Sequence, residues 1–214
     1  MPDAQQPGAE KWLPDHQTLP ALRAAVPSCR GCELWHDATQ AVFSAGTSTA
    51  RIAFVGEQPG DQEDREGKPF VGPAGRVLDE ALVAAEIDRR DVYVTNAVKH
   101  FRHHVERGSK RRIHDKPSVG QVNACHPWLS AEFAVVKPAL VVCLGATAGR
   151  SVLGRPVRIT AERGHILDIQ GLDAKALLTT HPSAVLRLRG RDGYAEAFHG
   201  FVSDLEAARR FLSD

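Results

Sequence analysis

Short apolar runs closed by glycine or a polar residue recur along the chain, and most are followed by a stretch of helical period. RIAFVG (51–56), DVYVTNAV (91–98), PALVVCLG (138–145) and KALLTT (175–180) read as strands. After the first of them, PAGRVLDEALVAAE sets Val77, Leu78, Ala81, Leu82 and Ala85 on one helical face, with Pro73 in the first turn. Ser118 with Gln121 three residues on is a capping-box signature for a helix running to about residue 136. ATAGRSVLG reads as a short helix, and Tyr194, Phe198, Phe201, Leu205 and Ala208 form the stripe of a terminal amphipathic helix.

Strands separated by helices predict an α/β chain, folded as three α/β/α layers around a central, mainly parallel four-stranded sheet. Residues 1–19 are polar with three prolines and are expected to form a loose tail, and residues 20–214 a single domain. LPALRAAVPSCRGCELW then has the spacing of a short helix running into a cysteine-bearing turn. In open α/β sheets ligands bind beyond the carboxyl ends of the strands. Glu57, Gln58 and Asp61 follow the first strand, Asn96 ends the second, Gly145 ends the third and His181 follows the fourth. Layout alone therefore predicts a pocket holding a carboxylate, two amides and an imidazole.

Composition changes this picture little: 214 residues, 43% apolar and 25% charged, suit one ordinary globular domain. The opening MPDAQQPGAEKW lacks the basic start and apolar run of a signal peptide, and AEFAVVKPALVVCLGATAG is interrupted by Lys137 and Pro138. A cytoplasmic protein that does not span a membrane is expected. Charge is nearly balanced at +1, but its distribution is uneven. Between Lys99 and Lys116 seven cations meet two acids, and four of the ten histidines fall there too. A second basic stretch, RLRGR (187–191), contains no acid. Two such loops suit contact with a phosphate backbone, although on charge alone solvated surface is the favoured reading.

Cys29 and Cys32 form a C-x-x-C turn that lets two thiolates converge on a metal or cluster. Cys125 lies in the helical segment NACHPWLSAEF, whereas Cys143 sits inside an apolar strand and reads as a small core residue. GEQPGDQEDREGKPFVGPAG (56–75) holds five glycines and three prolines, which permits close backbone approach to a ligand. Phe70 within it reads as a stacking face or as a core side chain. In TTHPSAVLR, His181 occupies a strand-to-helix turn where Ser183 can cap the next helix; a histidine bonded to backbone is the plainer reading.

Together these segments resemble the iron-sulfur branch of the uracil-DNA glycosylase superfamily over about residues 20–212. GEQPGDQEDREGKPFVGPAG is similar to the family's first motif, VYVTNAVK to its uracil-reading segment, CHPWL with KPALVVCLGATA to its helix-strand module, and HPSAVLR to its second catalytic motif. Where family-four enzymes usually carry K-C-R-P-P, this chain has Lys99-His100-Phe101-Arg102-His103, followed by an insertion containing GSKRRIH. That insertion and Gln58 in GEQPG resemble the family X branch, UdgX, whose members bond covalently to the abasic sugar after removing uracil.

The resemblance implies base flipping of uracil-containing DNA, single strands favoured, by a monomer. It implies His114 as the attacking residue, a neutral imidazole nitrogen replacing water at C1′ while Arg111 and Arg112 disfavour its protonation. Glu57 would orient His114 or accept its proton, and His181 would stabilise the departing pyrimidine. Asn96 is expected to read the uracil edge, Phe70 to stack on it, and the backbone around Gln58 to add hydrogen bonds. Gly60, Asp61 and Arg112 complete the expected substrate contacts, and Lys110, Arg111 and Arg187 the phosphate contacts. A [4Fe-4S] cluster of structural role is implied on Cys29, Cys32, His100 and Cys125. Two other readings stand beside this one: a conventional turnover glycosylase, and a non-catalytic protein that binds damaged DNA.

Overall fold

The computed structural model describes residues 6–213. In chain order its strands are β1 (Ile52–Gly56), β2 (Val92–Asn96), β3 (His103–Val105), β4 (Arg112–His114), β5 (Leu140–Leu144), β6 (Ile166–Asp168) and β7 (Lys175–Thr179). The helices are α1 (Leu19–Ala25), α2 (Asp61–Glu66), α3 (Pro73–Ala84), α4 (Val119–Val136), α5 (Ala146–Leu153), α6 (Ile159–Glu162), α7 (Pro182–Leu186) and α8 (Tyr194–Ser213). The main sheet runs β2-β1-β5-β7-β6. Its first four strands are parallel and β6 pairs antiparallel with β7.

The three-layer α/β/α expectation holds, with one addition. The sheet has five strands rather than four, because Ile166–Asp168 adds an edge. Three residues with only their middle member partly buried give no alternation long enough to read as a strand.

Residue alternation in the buried strands sorts side chains between two cores. Ile52, Phe54, Val92, Val94, Leu140, Val142 and Leu177 face α3, α7 and α8. Ala53, Val55, Tyr93, Val141, Cys143, Ala176 and Leu178 face α4 and α5. Fully burying one such side chain, Phe54 for example, contributes about 1.5–3 kcal/mol. Cys143 is thus a core residue of the sheet, apart from the other three cysteines.

Those three belong to a separate apolar cluster formed by Leu22, Val26, Cys29, Cys32, Val98, Val122, Cys125 and Trp128. Part of the expected tail joins it. Ala9 is fully buried there, Trp12 and Leu13 pack on it, and the Gly8 N–H donates to the Gly31 carbonyl at 3.0 Å. Residues 8–13 are therefore packed against the cysteine turn rather than loose: an alanine, a tryptophan and a leucine among polar neighbours suffice to seal it. Residues 1–5 lie outside the described residues. Among the described residues, no helix is long and apolar enough to cross a membrane.

Candidate active site

A cavity of about 550 Å³ opens beyond the carboxyl ends of β1, β2, β5 and β7. Glu57, Gln58, Gly60, Phe70, Asn96, His114, His181 and Arg187 all line it, so the structure brings together most of the expected residues. Glu63, Lys116, Thr147 and Ser183 line it as well.

The floor is built on buried strand ends. Asn96 closes β2, is 2% exposed, and its side-chain amide has no hydrogen-bond partner among the described residues. It therefore faces the cavity with its donors and acceptor unspent. Glycine at 56 makes room for it: a Cβ there would stand 2.3 Å from Asn96 Oδ1 and 2.7 Å from Phe70 Cζ. Phe70 has φ of +57°, a conformation rare for a non-glycine residue, which turns its ring to this position. It is both a member of the core and a wall of the cavity, so the two readings of Phe70 hold together.

The Phe70 loop is held by a residue the sequence reading passed over. Glu63 accepts from the Gly60 N–H at 3.1 Å and the Gly72 N–H at 2.7 Å, drawing the two ends of the loop onto one carboxylate. Its signal was an acid three residues after Gly60, a capping pattern at the start of α2 that the many glycines obscured.

His181 is the N-cap of α7, a place the sequence reading offered to Ser183. Its Nδ1 accepts from the Ser183 N–H at 3.1 Å, so a neutral ring carries its proton on Nε2. Burial chiefly, with His114 and Arg187 nearby, holds its pKa down at about 4 from an ordinary 6.5. Gly145, at φ of +91°, lies against it; a Cβ there would come within 3.1 Å of the His181 Cβ.

His114 reaches the cavity on a second, two-stranded sheet, in which β3 and β4 pair His103 with His114 and Val105 with Arg112. The basic loop is thus a hairpin. Its base is fastened by Gln58, whose Nε2 donates to the carbonyls of Arg102 at 3.1 Å and Asp115 at 3.0 Å, while Oε1 accepts from the Arg102 N–H at 3.0 Å. The Gln58 side chain is spent on the hairpin, leaving only its backbone for a ligand.

Arg112 and Asp61, expected to contact substrate, are spent on each other. The Arg112 guanidinium bonds Asp61 at 2.5 Å and the fully buried Asp64 at 2.6 Å. Two acids on α2 more than offset its charge, so Arg112 anchors the hairpin instead of supplying a positive field at His114. Neither Arg112 nor Asp61 lines the cavity. Lys110 and Arg111 are exposed on the hairpin turn, open to a strand passing over it.

Glu57 stands between the two regions. Its Oε1 lies 3.5 Å from His114 Nε2, and its Oε2 accepts a short hydrogen bond from the Thr147 hydroxyl. Thr147 was not anticipated; it sits at the turn from β5 into α5, the same kind of strand-end position that marked His181.

On the far side of β2, Cys29, Cys32, His100 and Cys125 are all buried. Cys29 Sγ accepts from Trp128 Nε1 at 3.2 Å and Cys125 Sγ from the Lys99 N–H at 3.3 Å. Burial pushes the Cys32 thiol up to about 11 and the Cys125 thiol to about 12. His100, lowered to about 4 by burial and then by Arg30, the residue between the two turn cysteines' flanks, is a neutral donor. Among the described residues, no three His, Cys, Asp or Glu side chains are arranged to hold a single metal ion.

A mainly parallel sheet between helical layers, with a carboxylate, a free amide and a half-buried imidazole at its strand ends, defines an α/β protein with a polar strand-end pocket. Residues 43–206 match the uracil DNA glycosylase superfamily, and the chain belongs to it. It is 38% identical over 188 residues to the type-4 uracil-DNA glycosylase of Thermotoga maritima, covering 87% of this chain and 91% of that one. It is 32% identical over 189 residues to the type-4 uracil-DNA glycosylase of Archaeoglobus fulgidus, covering 85% and 90%. A type-5 uracil-DNA glycosylase of Pyrobaculum aerophilum is 28% identical over 188 residues, covering 81% and 79%.

Proposed function

We propose that this protein excises uracil from DNA, acting as a monomer with single strands favoured, and that His114 then captures the sugar. The observation that carries the reading is the convergence on one cavity of an unspent buried amide, Asn96, a neutral imidazole, His181, and a second imidazole, His114, at the wall. The relatives' names supply the base. A duplex hides the glycosidic bond, so the nucleotide enters extruded, its ring between Phe70 and the backbone near Gln58.

As the C1′–N1 bond breaks, its electron pair leaves with uracil, and the Nε2–H of His181 stabilises the developing oxyanion. Asn96 pairs with the uracil edge. The carboxylate of Glu57, fixed by Thr147, balances the cationic sugar and orients His114. A lone pair of the His114 imidazole then forms the new bond to C1′, and the ring's other nitrogen gives up its proton to the Glu57 carboxylate beside it. Each chain is consumed by one event.

Cys29, Cys32, His100 and Cys125 would hold a [4Fe-4S] cluster. Thiols this deeply buried deprotonate only beside a cation, and N–H groups already aimed at two of the sulfurs suit charged ligands. When bound, the cluster would tie the N-terminal segment to α4 and the end of β2.

The test is incubation with uracil-containing single-stranded DNA followed by a denaturing gel. A protein-DNA species that survives denaturant, is absent with thymine, and disappears in His114→Ser is expected. Free abasic DNA formed over many turnovers would instead assign Glu57 to water activation, and binding without uracil release would leave only a DNA-binding protein.

A further inference from the structure

Strand β2 delivers Asn96 to the cavity, and the side chain of Lys99 folds back beneath it. The Lys99 ammonium donates to Thr95 Oγ1 at 2.7 Å and to the Asn96 carbonyl at 2.8 Å. It is 1% exposed, and its counter-ion is the fully buried Glu132 of α4. The second oxygen of Glu132 accepts from the Tyr93 hydroxyl at 2.8 Å. One buried polar chain thus runs from Tyr93 through Glu132 and Lys99 to the residue that faces the ligand.

Stability does not account for it. Taking two charges fully out of water costs several kcal/mol per ion, and well-packed apolar replacements of such pairs are often neutral or stabilising. What the pair supplies is geometry. The Asn96 amide has no hydrogen-bond partner of its own among the described residues, so its aim depends on its backbone. That backbone is held on one side by the neighbouring Ala97 N–H donating to the Gly56 carbonyl at 2.9 Å, and on the other by Lys99. Lys99 in turn cannot move without stranding Glu132.

We propose that Lys99 and Glu132 are positioning residues that aim the Asn96 amide at the flipped base, setting the rate and base selectivity of excision while leaving DNA affinity unchanged. This rests on the uracil-excising reading of the cavity. Substrate choice in such a site follows from unpaired buried donors and acceptors when the wrong base enters, which requires the amide to be held in place.

The full-length chain is compared with Lys99→Met, Glu132→Gln and the double variant Lys99→Met/Glu132→Leu. Measured are uracil release in a single turnover at saturating DNA, the DNA concentration giving half that rate, release from a matched cytosine oligonucleotide, melting temperature, and the NMR resonance of the Asn96 side-chain amide. The double variant, which strands no charge, is expected to melt within about 4 °C of the wild type. Its saturating rate should fall by about a hundredfold, as for a misplaced reacting group, and its uracil preference should shrink, with half-saturation unmoved. A folded double variant with wild-type rate and selectivity overturns the proposal. If Lys99→Met fails to fold, the double variant and the near-isosteric Glu132→Gln decide by the same readings. A wild type that releases no uracil overturns the functional reading instead; the Asn96 resonance then still judges the positioning role, which fails if the resonance is unmoved in the double variant.

Discussion

The cavity floor and the His114 hairpin face the same space but are held there by different physics. Asn96, Phe70 and His181 stand on β2, on a loop clamped by Glu63, and on the turn after β7, all backed by apolar core. His114 stands on two three-residue strands whose own residues are partly buried or exposed. With almost no core of its own, the hairpin is located by polar fastenings, Gln58 at its base and Arg112 on its flank. A packed core fixes position through many weak contacts, whereas a hairpin fixed by a few strong ones is displaced when any single one is cut. The base-reading and sugar-capturing halves of the site should therefore be separable by mutation.

The floor should give the largest effect. His181→Ala removes the donor placed for the leaving base, and uracil release, measured in a single turnover, should fall by about 10²–10³-fold. A loss under tenfold would mean that the leaving group is stabilised elsewhere.

Cutting the hairpin's fastening should act on capture and spare release. Gln58→Ala leaves the half-buried Arg102 N–H and the Asp115 carbonyl without this partner, while the Arg102 carbonyl keeps the Asp115 N–H, a penalty of about 1–3 kcal/mol per group left unsatisfied. Adduct yield on a denaturing gel should fall by about tenfold, with free uracil formed at close to the wild-type rate. Equal losses in both products would show that the two halves are not independent.

The smallest effect is one of pH. Folded His181 titrates at about 4 and its unfolded form near 6.5, so between those values the unfolded chain binds a proton that the native chain does not. Its contribution to stability is whole above pH 6.5 and is lost progressively as pH falls toward 4. Calorimetry at pH 7 and pH 4.5 should show a melting temperature that drops by a few degrees less in His181→Asn than in the wild type. An identical drop in both would place the acid sensitivity in other groups.

Legibility in the sequence followed the same divide. The four parallel strands were readable because full burial on both faces demands unbroken apolar runs such as IAFVG and LVVCL. Asn96, Glu57 and His181 were readable because topology places strand ends at a ligand site whatever the side chains do. The hairpin and β6 were not, since strands of three exposed or half-buried residues carry no period. Helix α2 was hidden as well: DQEDRE has no apolar stripe, and its start is fixed by Glu63 reaching back to Gly60.

Hydrophobic order along the chain by itself determined the layered fold, the place of the cavity and the chemical groups available to it, since burial and strand alternation are properties of local pattern. Only the tertiary structure decided how those groups are used. Arg112 and Asp61 cancel each other, the Gln58 side chain becomes a fastening, and Lys99 is buried beneath Asn96 with Glu132 from a distant helix. A charge or amide takes its role from the partner it meets, and those partners lie tens of residues away, where no local pattern records them.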